Sequence, residues 1–73
     1  MRDVYKEYKQ GLISWGEAYL TANNLAALSS DGFMPTEETE YWCKQMESLG
    51  IETAEEKMNM LGYEKDQRGV FYQ

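Results

Sequence analysis

The stretch from Pro35 to Gly62 has the apolar spacing of two helices joined by a tight corner. Trp42, Met46 and Leu49 lie at positions i, i+4 and i+7, which places them on one face of the first helix. Thr36 precedes this pattern and is a residue type that caps helix N-termini. The pattern therefore predicts a helix that begins just after Thr36.

The corner and the second helix are predicted by a glycine and a capping motif. Gly50 stands where a left-handed residue ends a helix, and Ile51 is expected to fold back onto Met46. Thr53 and Glu56 have the spacing of a capping box, which predicts that the second helix starts at position 54. The residues expected on its inward face are Ala54, Met58 and Leu61.

Two further helices are predicted before this stretch. The first spans Arg2 to Gln10 and ends at Gly11. Ser14 and Glu17 form another capping box, which predicts a helix from Trp15 to about Leu28. Its expected inward residues are Ala18, Ala22, Leu25 and Ala26.

The loop SSDGFMP, residues 29–35, is expected to connect the two halves. Phe33 and Met34 are expected to tuck under the central helices. The alternative for this pair is an exposed contact for a partner's groove.

The period of the pattern changes after Gly62. Residues 63–65 and 70–72 are aromatic or β-branched at several positions and flank a four-residue turn that ends in Gly69. This arrangement predicts a small hairpin, with a flexible tail that orders on a partner as the alternative. We therefore predict one small, mostly α domain over residues 1–73. Residues 1–62 form two corner-joined helical pairs and residues 63–73 a short β-hairpin or flexible tail.

The residue types present exclude several kinds of chemistry. The 73 residues include one cysteine and no histidine, which excludes Cys–His and Ser–His–Asp catalysis and zinc sites of the Cys/His kind. Cys43 is expected to be a small buried apolar group beside Trp42. The lone cysteine, the lack of a membrane-spanning run and the lack of a signal-peptide pattern predict a cytoplasmic protein without membrane contact.

The net charge of −6 is concentrated in the middle of the chain. Residues 1–30 hold three acids and three bases, and residues 57–73 hold two acids and three bases. Residues 31–56 hold eight acids and one base, a net charge of −7. Such a surface repels nucleic-acid phosphates and attracts basic protein surfaces.

The order helix, LGIE turn, second helix and hairpin resembles a helix-turn-helix or winged-helix DNA-binding motif over about residues 40–72. The second helix of that motif normally presents arginine, lysine, asparagine or glutamine side chains to the DNA. Here Glu55 and Glu56 occupy its N-terminal part. We therefore expect no direct contact with nucleic acid.

Enzyme activity is not expected. The sequence has no glycine-rich phosphate loop, HExxH motif, EF-hand loop or nucleophile elbow. A domain of this size also leaves little room for an enclosed pocket. We assign no catalytic, cofactor-binding or metal-binding residue, and we expect a monomeric protein-binding module.

In size, acidity and lack of catalytic groups, the chain resembles the small bacteriophage-encoded regulators of host RNA polymerase, including an inhibitor and antiterminator of a Xanthomonas phage. The resemblance implies contact with polymerase subunits, inhibition of transcription initiation and effects on termination. The residues expected to meet basic polymerase surface are Glu37, Glu38, Glu40, Glu47, Glu52, Glu55 and Glu56. The expected aromatic anchors are Tyr5, Tyr8, Tyr63 and Phe71.

Two other functions stay open. The first is a DNA mimic that inhibits a nucleic-acid-binding defence or repair enzyme. A mimic needs acidic residues over most of one face, and the neutral or slightly basic ends of the chain argue against it. The second is a virion or assembly factor.

Overall fold

The computed structural model describes residues 2–29 and 36–73, so Phe33 and Met34 lie outside the described part. Within these described ranges, four helices and a two-stranded antiparallel sheet follow one another in sequence. They are α1 (Val4–Lys9), α2 (Trp15–Ser29), α3 (Glu37–Leu49), α4 (Ile51–Met60), β1 (Glu64–Lys65) and β2 (Phe71–Tyr72). The predicted mostly α fold with a C-terminal hairpin is confirmed.

Helix α2 lies at the centre of the fold and makes its most extensive contacts with α3. Small residues on its inward face let α3 approach closely, since Ala18 and Ala22 are fully buried. The predicted stripe on α3 is buried as well. The core consists of Val4, Ala18, Tyr19, Ala22, Ala26, Trp42, Met46, Leu49, Ala54, Met58 and Phe71.

Helix α1 is short and is held by polar contacts at its N-terminus. The Asp3 side chain caps it by accepting a hydrogen bond from the backbone N–H of Lys6 at 3.0 Å. The backbone N–H of Tyr5 donates to the Gln45 side chain of α3 at 2.9 Å. These contacts satisfy donors that a helix N-terminus leaves unpaired, and the second one ties α1 to α3.

The corner between α3 and α4 is tighter than the sequence predicts. Gly50 adopts a left-handed conformation with φ of 95°, as expected, but α4 begins at Ile51 rather than at position 54. The Gly50 carbonyl already accepts the backbone N–H of Thr53 at 3.4 Å, so helical bonding resumes directly after the glycine. The predicted capping box of Thr53 and Glu56 is therefore wrong, because both residues lie inside the helix.

Three predicted inward positions are less buried than expected. Leu61 is 52% exposed because α4 ends at Met60 and Leu61 is the C-cap residue beyond it. Ile51 is 45% exposed instead of folding onto Met46, since it starts α4 and faces solvent. Leu25 is half-buried at the edge of the core.

The hairpin is anchored on α2 by two asparagine side chains. Glu64 pairs with Tyr72 and Lys65 with Phe71 across the sheet. Asn24 accepts the backbone N–H of Phe71 at 2.9 Å and donates to its carbonyl at 3.2 Å, as a neighbouring strand would. Asn23 donates to the Gly69 carbonyl at 2.7 Å. A hairpin this short is not stable alone, so these bonds and the burial of the Phe71 ring hold it in place.

Candidate functional site

The seven predicted carboxylates of α3 and α4 are all exposed. We call them the acidic surface: Glu37, Glu38, Glu40, Glu47, Glu52, Glu55 and Glu56. Their exposure follows from packing, because the apolar stripe of α3 and the buried Ala54 and Met58 of α4 turn the acidic positions outward.

The spacing on α3 places most of its acids along one line. Glu37, Glu40 and Glu47 share a stripe with Lys44 at i, i+3, i+7 and i+10, opposite the buried stripe. Three of the acids lie in the first turn of α3, where the helix dipole favours negative charge. Gly50 is the single residue between α3 and α4.

None of these carboxylates forms an ion pair within residues 2–29 and 36–73. The ion pair in that part of the chain joins Arg2 to Glu7 at 2.8 Å, on and next to α1. The hydrogen bonds from Arg2 lower the pKa of Glu7, which keeps that carboxylate charged. The acidic surface, by contrast, keeps a net charge of −6 over residues 36–56, with Lys44 as its one base.

Of the four predicted aromatic anchors, Tyr5, Tyr8 and Phe71 do not lie on the acidic surface. Phe71 is 3% exposed and packs edge-on against Tyr19, so its assignment as a contact residue is wrong; it belongs to the core. The structural reason is its place on β2, where the side chain points toward α2. Tyr5, Tyr8 and Tyr63 are half-buried against the core.

Tyr5 and Tyr8 lie on the α1 side of the molecule. Tyr5 binds Gln45, which lies about 140–160° around α3 from Glu40 and Glu47 at 3.6 residues per turn. The Lys9 ammonium lies 5.5 Å from the Tyr5 ring centroid and 5.7 Å from that of Tyr8. This side therefore carries positive charge over aromatic rings, unlike the acidic stripe.

Cys43 is exposed, so the prediction of a buried thiol is wrong. It follows Trp42 by one residue, which moves it about 100° around the helix and beyond the edge of the buried stripe. The lone cysteine is therefore exposed and lies near Asn23 and Ala26 of α2 and Lys65 of the hairpin.

A groove that the sequence did not reveal lies between the start of α2 and the end of α4. Trp15, Lys57 and Leu61 are among its lining residues. The sequence predicts Trp15 as the first residue of α2 and Leu61 as part of the core. The available signal is the pair of large apolar residues, Met60 and Leu61, just before Gly62, because α4 ends at Met60 and leaves both side chains exposed.

The described residues contain no group of three His, Cys, Asp or Glu side chains arranged to hold a metal ion. No helix within residues 2–29 and 36–73 is long and apolar enough to cross a membrane. No protein-family model matches the chain, and searches of curated proteins and of solved structures found no significant match.

Proposed function

We propose that this protein is a small, non-enzymatic regulator that binds a basic surface of a host macromolecular machine through its acidic surface. The machine we favour is RNA polymerase, with inhibition of transcription initiation, altered termination or both as the outcome, in the cytoplasm of the host cell. The observation that supports the proposal is the set of seven exposed carboxylates without an ion-pair partner among the described residues.

Unpaired carboxylates on a fixed helical scaffold suit recognition of a basic surface. Their positive partners are supplied by the other protein, so binding replaces hydration of both sides by direct contacts. Residues 36–56 carry a net charge of −6, and the electric field of this charge accelerates association with a positively charged surface. The association rate should therefore fall as the salt concentration rises. The half-buried tyrosines of α1, Tyr5 and Tyr8, contribute no charge and are not required for this contact.

The choice of RNA polymerase rests on the resemblance in size and character to phage regulators. A DNA mimic would also place carboxylates against a basic groove, but its target would then be displaced by duplex DNA. The two functions therefore predict different behaviour in one competition experiment.

The test is affinity capture of tagged protein from a bacterial lysate, at low and at moderate salt, with mass spectrometry of the retained proteins. The variant Glu55→Lys/Glu56→Lys reverses two exposed charges of α4 and leaves the buried Ala54 and Met58 unchanged. The matched control Glu17→Lys/Glu64→Lys changes the net charge equally at exposed positions outside the acidic surface.

We expect stoichiometric RNA polymerase subunits with the native chain and with the control, and their loss with the Glu55/Glu56 variant. Equal retention by both variants would contradict a role for the acidic surface. Retention of a nuclease or repair enzyme that added DNA displaces would contradict the regulator and favour the mimic.

A further inference from the structure

The groove between α2 and α4 has a volume of about 430 Å³ and is open to solvent along one side. Its walls come from the first turn of α2, the last turn of α4 and one residue of α1. The residues that matter for its chemistry are Tyr8, Trp15, Gly16, Lys57, Met60 and Leu61. A volume in this range accommodates one or two large apolar side chains.

The base of the groove is rigid. The Trp15 indole N–H donates to the Leu49 carbonyl at 2.8 Å, which fixes the ring against the end of α3. The same ring stacks on buried Tyr19 with centroids 5.3 Å apart and planes 11° apart. A side chain that enters the groove therefore meets an aromatic surface that is already ordered, which lowers the entropic cost of binding.

The outer wall is apolar and exposed. Met60 is 86% exposed and Leu61 is 52% exposed, although both are large hydrophobic residues. Leu61 reaches the first turn of α2, where a Cβ on Gly16 would lie 2.9 Å from its Cδ1 atom. The absence of a side chain at Gly16 thus leaves room for Leu61 at this wall. Exposed methionine and leucine beside a fixed indole are typical of surfaces that bind protein.

The charge at the groove is opposite in sign to that of the whole chain. Lys57 is the charged residue that lines it, and its ammonium lies 5.0 Å from the Trp15 ring centroid. Lys9 lies over the neighbouring Tyr8 ring. Among the described residues, no aspartate or glutamate lines the groove. An apolar segment with carboxylates next to it therefore fits here better than a neutral or basic one.

We propose that this groove is a docking site for an acidic–apolar peptide segment of another protein. A leucine or phenylalanine side chain of that segment packs between Trp15 and Leu61, and a neighbouring aspartate or glutamate carboxylate pairs with the Lys57 ammonium. This proposal does not depend on the proposed function, because the acidic surface takes a partner of the opposite charge.

The experiment uses ¹H–¹⁵N NMR of the full chain titrated with three synthetic peptides. The first contains leucine and phenylalanine flanked by glutamates, the second has lysines in place of the glutamates, and the third has alanines in place of the apolar residues. The Trp15 indole N–H reports on the groove. The indole of Trp42, which is 3% exposed in the core, is the internal control.

We expect the glutamate peptide to shift the Trp15 indole and the Gly16 and Leu61 amides in a saturable way, while the Trp42 indole stays in place. The lysine and alanine peptides should bind at least about tenfold more weakly, a difference of about 1.4 kcal/mol. No saturable shift at Trp15 with the glutamate peptide, or equal affinity for the lysine peptide, would overturn the proposal.

Three variants sharpen the test. Lys57→Glu should abolish the preference for the glutamate peptide, whereas Lys44→Glu, with the same charge change on α3, should leave it intact. Met60→Ser removes an exposed apolar wall without affecting the core and should weaken binding severalfold. The same shifts on concentrating the free protein would identify a second copy as the occupant and overturn the proposal.

Discussion

Replacing Asn24 by alanine is the perturbation whose effect follows most directly from the structure. The Asn24 Oδ1 atom accepts the backbone N–H of Phe71 at 2.9 Å, and the Asn24 Nδ2 atom donates to the Phe71 carbonyl at 3.2 Å. Its Oδ1 also accepts a bond from Asn23 at 3.1 Å. The variant removes these bonds and leaves the outer edge of β2 unpaired while the Phe71 ring remains in the core.

The expected cost is about 2 kcal/mol of the free energy of unfolding. Each of the two bonds to Phe71 contributes roughly 0.5–1.5 kcal/mol net. A domain of this length has a total stability of about 4–11 kcal/mol at 0.05–0.15 kcal/mol per residue. At about 4–8 °C per kcal/mol for a small domain, the thermal midpoint should fall by roughly 8–16 °C.

The assay is urea denaturation together with hydrogen exchange of the Phe71 amide. Asn59→Ala is the matched control, because Asn59 is exposed on α4 and its replacement should change stability by no more than about 0.5 kcal/mol. We expect exchange at Phe71 to accelerate in Asn24→Ala while the core amides of α3 keep more of their protection. A loss no larger than in the control would refute the role of Asn24 as a substitute strand.

Three further predictions concern other parts of the fold. Gly50→Ala should lower the free energy of unfolding by about 1–2 kcal/mol, because the backbone φ of 95° strains any residue with a side chain. No atom lies within 4 Å of the added Cβ, so backbone strain is the only cost. An unchanged urea midpoint would contradict this prediction. Burial, and secondarily the charge of Glu55, raises the pKa of Tyr19 in the folded protein. The neutral Tyr19 side chain therefore stabilises the fold fully below the ordinary tyrosine pKa of about 10, and this stabilisation is lost as the pH rises through the higher pKa of the folded state. Denaturation midpoints measured at pH 8 and about pH 11 should therefore fall further for the native chain than for Tyr19→Phe, and equal falls would refute the assignment. Cys43 should react with a thiol reagent in the folded protein nearly as fast as in denaturant, because it is exposed; strong protection would show that it is buried.

Much of the fold follows from local patterns in the sequence. Trp42, Met46 and Leu49 form the buried stripe of α3, and Gly50 adopts the left-handed conformation that its position indicates. Ser14 accepts the backbone N–H of Glu17 at 3.2 Å, as the capping motif predicts. These features depend on neighbouring residues alone, which is why their signals are readable without knowledge of the tertiary structure.

Two features that were predicted wrongly have different causes, one local and one tertiary. The start of α4 moved to Ile51 because the Gly50 carbonyl continues the helical bonding, which outweighs the Thr53 capping signal. Phe71 was expected on the surface, but Asn24 draws β2 onto α2, and a contact 47 residues apart leaves no local signature. The exposure of the acidic surface was readable because charged residues opposite an apolar stripe face solvent.

Direct titration of labelled protein with purified bacterial RNA polymerase tests the central claim, that the acidic surface binds a basic partner. The native chain and the Glu17/Glu64 control should bind with affinities that fall as salt increases. The Glu55→Lys/Glu56→Lys variant should bind at least about tenfold more weakly and with a shallower salt dependence. Absence of binding by the native chain, or equal affinity and salt dependence for all three proteins, would contradict the claim.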